Sequence, residues 1–221
     1  MVLGMQLDFE GPEGRLEGVL WDPPTPARAA MVFCHPHPGH GGTMHNNVVY
    51  RASRGLQEAG ISVLRFNFRG VGRSAGEVAG QEHGDGTVGA DEDLNAALDF
   101  LVAKRPGLPL WAGGFSFGAR AASRVGGVRS ELQRLLLVAL PVRAFPCQFL
   151  MDVQPPTHLL MAGEDEFGTQ EEVLTQFPNL PQHVSVEEIP GTDHFFKGEL
   201  PLLQQKARDW ATRTTDSTTK P

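Results

Sequence analysis

Several features that would place this chain in particular protein classes are scarce or absent from its sequence. Among its 221 residues there are only two cysteines, Cys34 and Cys147, which excludes the disulfide framework of a small secreted protein. No apolar run approaches the roughly 20 residues that a membrane-spanning helix needs. Residues 1–10 lack the basic and apolar regions of a secretory signal. We therefore expect a cytoplasmic, bacterial-type protein that has no association with a membrane.

Positive charge is also in short supply. The chain has 19 Lys and Arg against 26 Asp and Glu, a formal net charge of −7. Proteins that bind nucleic acid need clustered Lys and Arg, so a nucleic-acid partner is not expected. The length and the 40% hydrophobic content suit a single globular domain, predicted over residues 1–213, as a monomer or a homodimer. We expect the polar tail, residues 214–221, to be disordered.

Hydrophobic periodicity predicts a repeated order of strands and helices. Two short strands joined by a turn come first, and further strands then alternate with helices. The predicted strands span residues 6–9, 16–20, 29–34, 62–66, 108–112, 135–140, 158–162 and 184–189. The predicted helices span residues 46–59, 88–103, 119–125, 171–177 and 200–212. This order indicates an α/β fold with a mostly parallel sheet, helices on both faces, and a ligand site beyond the C-terminal ends of the strands.

A candidate nucleophile lies directly after one of these strands. Residues 114–118 (GFSFG) match Gly-x-Ser-x-Gly, with an apolar strand before them and a predicted helix after them. A sharp strand-to-helix turn lifts the serine hydroxyl into the cleft, and glycines are needed where side chains would collide with neighbouring elements. We therefore predict Ser116 as the nucleophile. The alternative is a glycine-rich turn in which Ser116 only caps the helix.

A serine nucleophile needs a base and a carboxylate that orients it. When the serine lies on such a strand-to-helix turn of a parallel sheet, the order along the chain is Ser, then Asp or Glu, then His. His194 follows the last predicted strand in a turn, which is the place for the base. The acid is expected just after residues 158–162, where three carboxylates follow one another. We choose Asp165 and keep Glu166 as the alternative.

Two other histidines and one other carboxylate compete with this assignment. His158 and His183 precede strands instead of following them, so structural or exposed roles are expected for both. Asp193 is adjacent to His194, and neighbouring side chains diverge. It is expected to cap the last helix or to be solvated.

The loop after residues 29–34 is the candidate for oxyanion binding. Acyl transfer needs two donors, the N–H of the residue after the nucleophile and one N–H from an earlier loop. The first is Phe117. Residues 35–43 (HPHPGHGGT) combine prolines that stiffen the backbone with glycines that open it. We assign the second donor to the N–H of His37.

The same loop suggests a rival interpretation, a metal site. Four histidines fall within eleven residues, namely His35, His37, His40 and His45. His-x-His spacing can chelate zinc. Two of the four lie beside proline, however, and no acidic or thiolate ligand follows at fixed spacing. We therefore predict neither a metal nor another cofactor.

Three segments together resemble one family. They are residues 35–38 (HPHP) with 41–46 (GGTMHN), residues 65–74 (RFNFRGVGRS) and residues 114–118. In this order they are similar to small lidless bacterial α/β-hydrolases of the dienelactone-hydrolase and prolyl-oligopeptidase branches, over nearly the whole chain. The resemblance implies a Ser116, Asp165, His194 triad and carboxylesterase activity. In that family the acid usually lies three residues after the glycine that ends the strand, which here is Glu166. The Asp-Glu pair that usually marks the acid, however, aligns on Asp165.

One further residue of these segments has its own expectation. Arg69 lies in the loop after the strand at residues 62–66, close to the expected cleft. Arginine pairs well with carboxylates, and a role in holding loops together is favoured over substrate recognition.

The expected site is open and apolar. Only about seventeen residues separate residues 140 and 158, too few for a lid. Six aromatic side chains are candidates for its lining: Phe115, Phe117, Phe145, Phe149, Phe167 and Phe195. We expect a small-molecule ester with a short acyl chain as substrate. Two alternatives stay open, hydrolysis of an amide, lactone or carbon–carbon bond by the same triad, and a catalytically silent binding protein of this fold.

Overall fold

The computed structural model describes residues 4–78 and 89–213. Its strands are β1 (Met5–Gly11), β2 (Gly14–Trp21), β3 (Ala29–Cys34), β4 (Ile61–Phe66), β5 (Leu110–Phe115), β6 (Leu132–Val138), β7 (Thr157–Ala162) and β8 (Val184–Ile189). Its α-helices are α1 (Asn47–Glu58), α2 (Ala90–Lys104), α3 (Phe117–Gly126), α4 (Gln170–Gln176) and α5 (Leu200–Thr212). From β3 onwards the described strands and α-helices alternate, except that no α-helix lies between β6 and β7.

The eight strands form one sheet in the order β1-β2-β4-β3-β5-β6-β7-β8. Strand β2 pairs antiparallel with β1 and β4, and the other five pairs are parallel. The C-terminal ends of β3 to β8 therefore meet at one edge of the sheet. The sheet order turns back at β3, whose neighbours are β4 and β5. Ligand sites of open α/β sheets lie beyond the strand ends at such a reversal.

The core has two layers, one on each face of the sheet. Residues of β3 alternate between them, with Val32 in one apolar cluster and Phe33 in the other. Helices α2, α3 and α4 cover the first face, whereas α1 and α5 cover the second. Within the described ranges, no helix is both long and apolar enough to cross a membrane.

The type and order of all these elements follow the hydrophobic pattern. The bounds of β3, β8 and α5 are those predicted, and most others differ by one or two residues. The main difference lies at the predicted elbow. Strand β5 continues to Phe115 instead of ending at residue 112, because Gly113 and Gly114 pair with β6 in spite of their low strand propensity. Helix α3 then begins at Phe117, immediately after Ser116.

Two other predicted segments need correction or lie outside the described residues. Strand β6 ends at Val138 and not at residue 140, because Ala139 has a φ of 48° that a strand does not allow. The predicted helix at residues 88–103 is α2, and its first predicted residue is not among those described. The tail that is predicted to be disordered, residues 214–221, also lies outside the described residues.

Candidate active site

Ser116 lies in a strained turn between β5 and α3. Its φ is 55° and its ψ is −117°, a conformation that L-residues seldom adopt. The Ser116 N–H donates to the Val138 carbonyl at 2.8 Å, which ties the turn to β6. A Cβ on Gly114 would lie 2.5 Å from the backbone of Gly118, and one on Gly118 would lie 2.6 Å from the Cys34 carbonyl oxygen. Both glycines are therefore required by close backbone approach.

The structure brings Ser116, His194 and Asp165 together. The Ser116 Oγ lies 2.9 Å from the His194 Nε2, and the His194 Nδ1 lies 2.8 Å from the Asp165 Oδ2. Ser116 is 9% exposed, His194 3% and Asp165 2%, so water competes little for these bonds. With the ring proton on Nδ1, Nε2 is free to accept the proton of the serine hydroxyl.

The two neighbouring carboxylates that compete for the role of the acid face different surroundings. Asp165 is buried, and its second oxygen, Oδ1, accepts the Phe167 N–H at 2.7 Å. Glu166 is exposed at the rim of the cleft, and its backbone carbonyl accepts from Arg143. Consecutive residues in this turn point in different directions. Of these two carboxylates, only Asp165 forms a hydrogen bond with the imidazole in the described part of the chain.

The other candidates for base and acid have partners of their own. His158 Nδ1 lies 2.8 Å from the Ser185 Oγ, and His183 Nε2 lies 2.9 Å from the Val153 carbonyl oxygen. Asp193 accepts the Phe195 and Lys197 N–H groups, both at 3.1 Å, within the turn that carries His194. Asp193 does not cap α5, whose N-cap residue is Glu199, because its carboxylate is used within its own turn.

Both residues expected to bind the oxyanion line the cleft beside Ser116. Phe117 is the first residue of α3, so its N–H has no intrahelical acceptor and lies at the positive end of the helix dipole. No described residue accepts a hydrogen bond from the N–H of Phe117 or of His37. The rings of His37 and Phe117 are in contact, with centroids 5.0 Å apart. The two residues that carry these unpaired N–H groups therefore line the same cleft.

Three histidines of the loop, His35, His37 and His40, have partners within the protein. His35 is buried and hydrogen-bonded by both ring nitrogens. His37 Nδ1 accepts the Gly39 N–H at 3.1 Å, and the His37 and His40 rings stack. Burial, and then the neighbouring His40, lower the pKa of His37. Across the described ranges, no three His, Cys, Asp or Glu side chains are grouped as a metal site.

The cleft is small and mostly apolar. Its volume is about 360 Å³. The lining residues are Pro36, His37, His40, Gly41, Gly42, Asn46, Ser116, Phe117, Pro141, Ala144, Phe145, Glu166, Phe167, His194 and Phe195. Four of the six aromatic residues expected there are among them. The other two are not: Phe115 packs in the core beneath His194, and Phe149 lies against Arg120. Local sequence could not separate these cases, because all six lie in or next to apolar segments.

Sequence reasoning missed two polar residues of this lining. His40 lies in the predicted oxyanion loop, where its side chain is a candidate only for metal binding, and Asn46 is predicted only as the first residue of a helix. The Asn46 side chain also caps α1 by accepting the Val48 N–H at 2.9 Å. The sequence predicts that a helix begins at residue 46, and a helix cap is the role that this position indicates for Asn46.

Nothing in the described chain covers the cleft as a lid. Between β6 and β7 the only helical segment is a short 3-10 helix, Gln148–Met151.

The two cysteines are free and buried. Burial raises the pKa of the Cys34 thiol well above its ordinary value and that of Cys147 to about 11. Thiolate chemistry is therefore disfavoured at both.

Comparisons with known proteins agree with this architecture. Residues 27–216 match the family model described as an alpha/beta hydrolase domain. The chain is 35% identical over 217 residues to an uncharacterized protein of Rickettsia prowazekii, RP471, covering 93% of this chain and 87% of that protein.

Two solved structures are similar over nearly the whole chain. One is XC6422 from Xanthomonas campestris, described as an a/b serine hydrolase without a lid, with 35% identity and a TM-score of 0.83 over 97% of this chain and 98% of that chain. The other is an alpha-beta serine hydrolase homologue from Coxiella burnetii, with 32% identity and a TM-score of 0.83 over 93% and 96%.

Proposed function

Since the chain belongs to the alpha/beta hydrolase domain family, we propose that it is a serine hydrolase that cleaves carboxylic esters with short acyl chains. One observation carries the proposal. An unbroken pair of hydrogen bonds runs from Asp165 through His194 to Ser116, and it ends at an apolar cleft. This arrangement activates a hydroxyl for attack on an acyl carbon.

The proposed reaction has two halves. In the first, His194 Nε2 takes the proton of Ser116 as Oγ attacks the ester carbonyl, and Asp165 stabilises the imidazolium. The N–H groups of Phe117 and His37 bind the resulting oxyanion. His194 then returns the proton to the departing alcohol, which leaves an acyl group on Ser116. In the second half, His194 activates water, which releases the acid by the same steps in reverse.

The size and lining of the cleft support a short acyl chain. A volume of about 360 Å³ is at the lower end of the range for small-molecule sites. Four of the lining side chains are Phe, and none of the lining residues is Lys or Arg. Such a site favours a neutral, compact substrate over an anionic one.

A fluorophosphonate probe tests the nucleophile. We expect the wild-type protein to be labelled at a single residue, Ser116, and Ser116→Ala to remain unlabelled while folding normally. Serine hydrolases react with this probe through the activated hydroxyl. A folded wild type that is not labelled would refute the enzyme and favour a binding protein of this fold.

A series of nitrophenyl esters tests the acyl preference. We expect kcat/KM to be highest for acyl chains of about two to six carbons and to fall by roughly tenfold or more for chains of twelve, because the cleft cannot bury them. Long-chain esters as the best substrates would contradict the proposed acyl class. Activity restricted to amides would contradict the ester proposal while leaving the nucleophile in place.

We also propose that the protein acts in the cytoplasm on small molecules. Two reduced thiols without a disulfide suit a reducing compartment. The net charge of −7 opposes binding to nucleic acid. Fractionation of cells that express the tagged protein tests the location, and enrichment outside the cytoplasm would contradict it.

A further inference from the structure

His35 is a fully buried histidine whose two ring nitrogens are both hydrogen-bonded. Nε2 accepts the Phe68 N–H at 3.1 Å, and Nδ1 lies 2.7 Å from the Pro36 carbonyl oxygen. A backbone N–H can only donate and a carbonyl can only accept. The ring is therefore neutral, with its proton on Nδ1. Burial lowers the pKa of His35 to about 4, which agrees with a neutral ring at pH 7.

The Pro36 carbonyl belongs to the same peptide unit as the N–H of His37. This peptide is trans, so its C=O and its N–H point in opposite directions. The His35 Nδ1–H holds the carbonyl towards the buried side of the loop. The N–H of His37 is thereby directed to the other side, where the His37 side chain lines the cleft. Among the described residues, none accepts a hydrogen bond from the His37 N–H.

The far end of the loop is fixed by the segment that follows β4. Asn67 Oδ1 accepts the Met44 N–H at 2.8 Å, and Arg65 Nη1 donates to the Met44 carbonyl at 3.0 Å. Arg65 is itself held over the Trp21 ring, 4.0 Å from its centroid. The same segment supplies the Phe68 N–H that orients His35. Residues 65–68 thus support the loop at both of its ends.

We propose that His35 is a positioning residue for oxyanion binding, in which its Nδ1–H, oriented by the Phe68 N–H, directs the N–H of His37 at the reacting oxygen. This inference rests on the proposed function, since it concerns the same site. Two features of the motifs HPHP and RFNF are explained by it. His35, the first histidine of HPHP, orients the peptide between Pro36 and His37. The Phe68 N–H of RFNF fixes the ring of His35.

A matched pair of variants separates the two hydrogen bonds of the ring. In His35→Asn the amide nitrogen takes the place of Nδ1, so the bond to Pro36 is kept and the bond to Phe68 is lost. In His35→Gln the amide oxygen takes the place of Nε2, so the bond to Phe68 is kept and the bond to Pro36 is lost. The inference predicts a larger defect in His35→Gln.

The readout is the inhibition constant of an alkyl trifluoromethyl ketone. The Ser116 Oγ bonds to the ketone carbon, the C=O electron pair moves onto oxygen as an oxyanion, and the serine proton passes to His194. We expect the inhibition constant of His35→Gln to rise by about tenfold or more, since loss of one oxyanion donor lowers kcat by about 100-fold or more and misplacement costs less. That of His35→Asn should stay within about threefold of wild type. KM for a short ester should change little in either variant.

A reduced folded fraction lowers the number of active sites but leaves the inhibition constant unchanged, which separates positioning from stability. His158→Asn is the control, because His158 is also buried and also hydrogen-bonded through its ring. Its inhibition constant should equal that of wild type. An unchanged constant in His35→Gln, or an equal rise in both His35 variants, would overturn the inference.

A measurement on the wild type needs no variant. Nitrogen chemical shifts of the histidine rings report which nitrogen carries the proton. We expect a neutral His35 with the proton on Nδ1 at pH 7, and a proton on Nε2 would overturn the inference even if no variant folds. Wild-type protein that reacts with neither the ketone nor the fluorophosphonate would refute the proposed function, and this inference with it. An active wild type with the wrong tautomer refutes the inference alone.

Discussion

Three residues other than glycine have a positive φ among those described: Ser116, Ala139 and Phe196. Ser116 and Ala139 each come directly after a strand, β5 and β6, and Phe196 follows His194 by two positions. Such conformations cost of order 1–3 kcal/mol each and persist where the surroundings impose them. Here the Ala139 N–H donates to Leu160 and the Phe196 N–H donates to Asp193. The strain is thus concentrated at the strand ends that carry the candidate site.

At this scale, the two adjacent carboxylates give a direct test of the proposed acid. We expect Asp165→Asn to lower kcat by about 1,000-fold or more, because the amide no longer selects the ring proton on Nδ1. Glu166→Gln should change kcat by less than about threefold, since its side chain lies at the exposed rim. Steady-state kinetics on one short ester measure both. A large loss in Glu166→Gln with an active Asp165→Asn would reverse the assignment.

At the scale of elements, Arg69 connects the loop after β4 to helix α2. Its backbone N–H and its guanidinium both donate to the Asp93 carboxylate, at 2.8–2.9 Å. Asp93 is fully buried and Arg69 is 6% exposed. Glu92 accepts from the same guanidinium at 2.9 Å. The expectation that Arg69 holds loops through carboxylates is confirmed, and the residue is not among those lining the cleft.

Loss of the buried partner should be costly. We expect Asp93→Ala to lower the free energy of unfolding by about 3 kcal/mol, because it leaves a buried guanidinium without its main counter-charge. Urea denaturation measures the change. Arg54→Ala is the matched control, since the pair of Arg54 and Glu58 is about one-third exposed and should contribute only about 0.5 kcal/mol. Equal small losses in both variants would contradict the role given to the buried pair.

At the scale of the whole molecule, neutral histidines that are wholly or partly buried are expected to make the fold sensitive to acid. Burial lowers the pKa of His35 to about 4 and also lowers the pKa values of His37 and His158. In the unfolded chain these rings take up protons below about pH 6.5. Between that pH and the folded pKa the unfolded state binds more protons. Stability therefore falls as the pH falls.

This acid sensitivity can be measured. We expect the free energy of unfolding to be constant above about pH 7 and to decrease from about pH 6.5 to pH 4, with His35 alone contributing up to roughly 3 kcal/mol. Urea unfolding at several pH values gives the curve. Since His35→Asn removes the titrating ring, its stability should depend less on pH over the same range. An unaltered pH dependence in that variant would show that other groups carry the effect.

Local sequence patterns were enough to predict the order of strands and helices, the parallel sheet and the residues at its C-terminal edge. Alternation and helical periodicity are local consequences of burial, so they can be read without knowledge of distant contacts. The turn at Ser116 and the loop that carries His194 were found in the same way, since each follows an apolar strand.

Which of these residues are in contact depends on the three-dimensional fold. The contact of His194 with Ser116 spans 78 positions, and that with Asp165 spans 29. Asp165 and Glu166 are chemically alike and adjacent, so only the path of the turn distinguishes them. The same holds for the aromatic residues that face the cleft and for His35, whose partners Pro36 and Phe68 meet because β3 and β4 are parallel neighbours. The local sequence pattern determines which residues are buried, whereas the direction of each side chain depends on how the helices and strands pack.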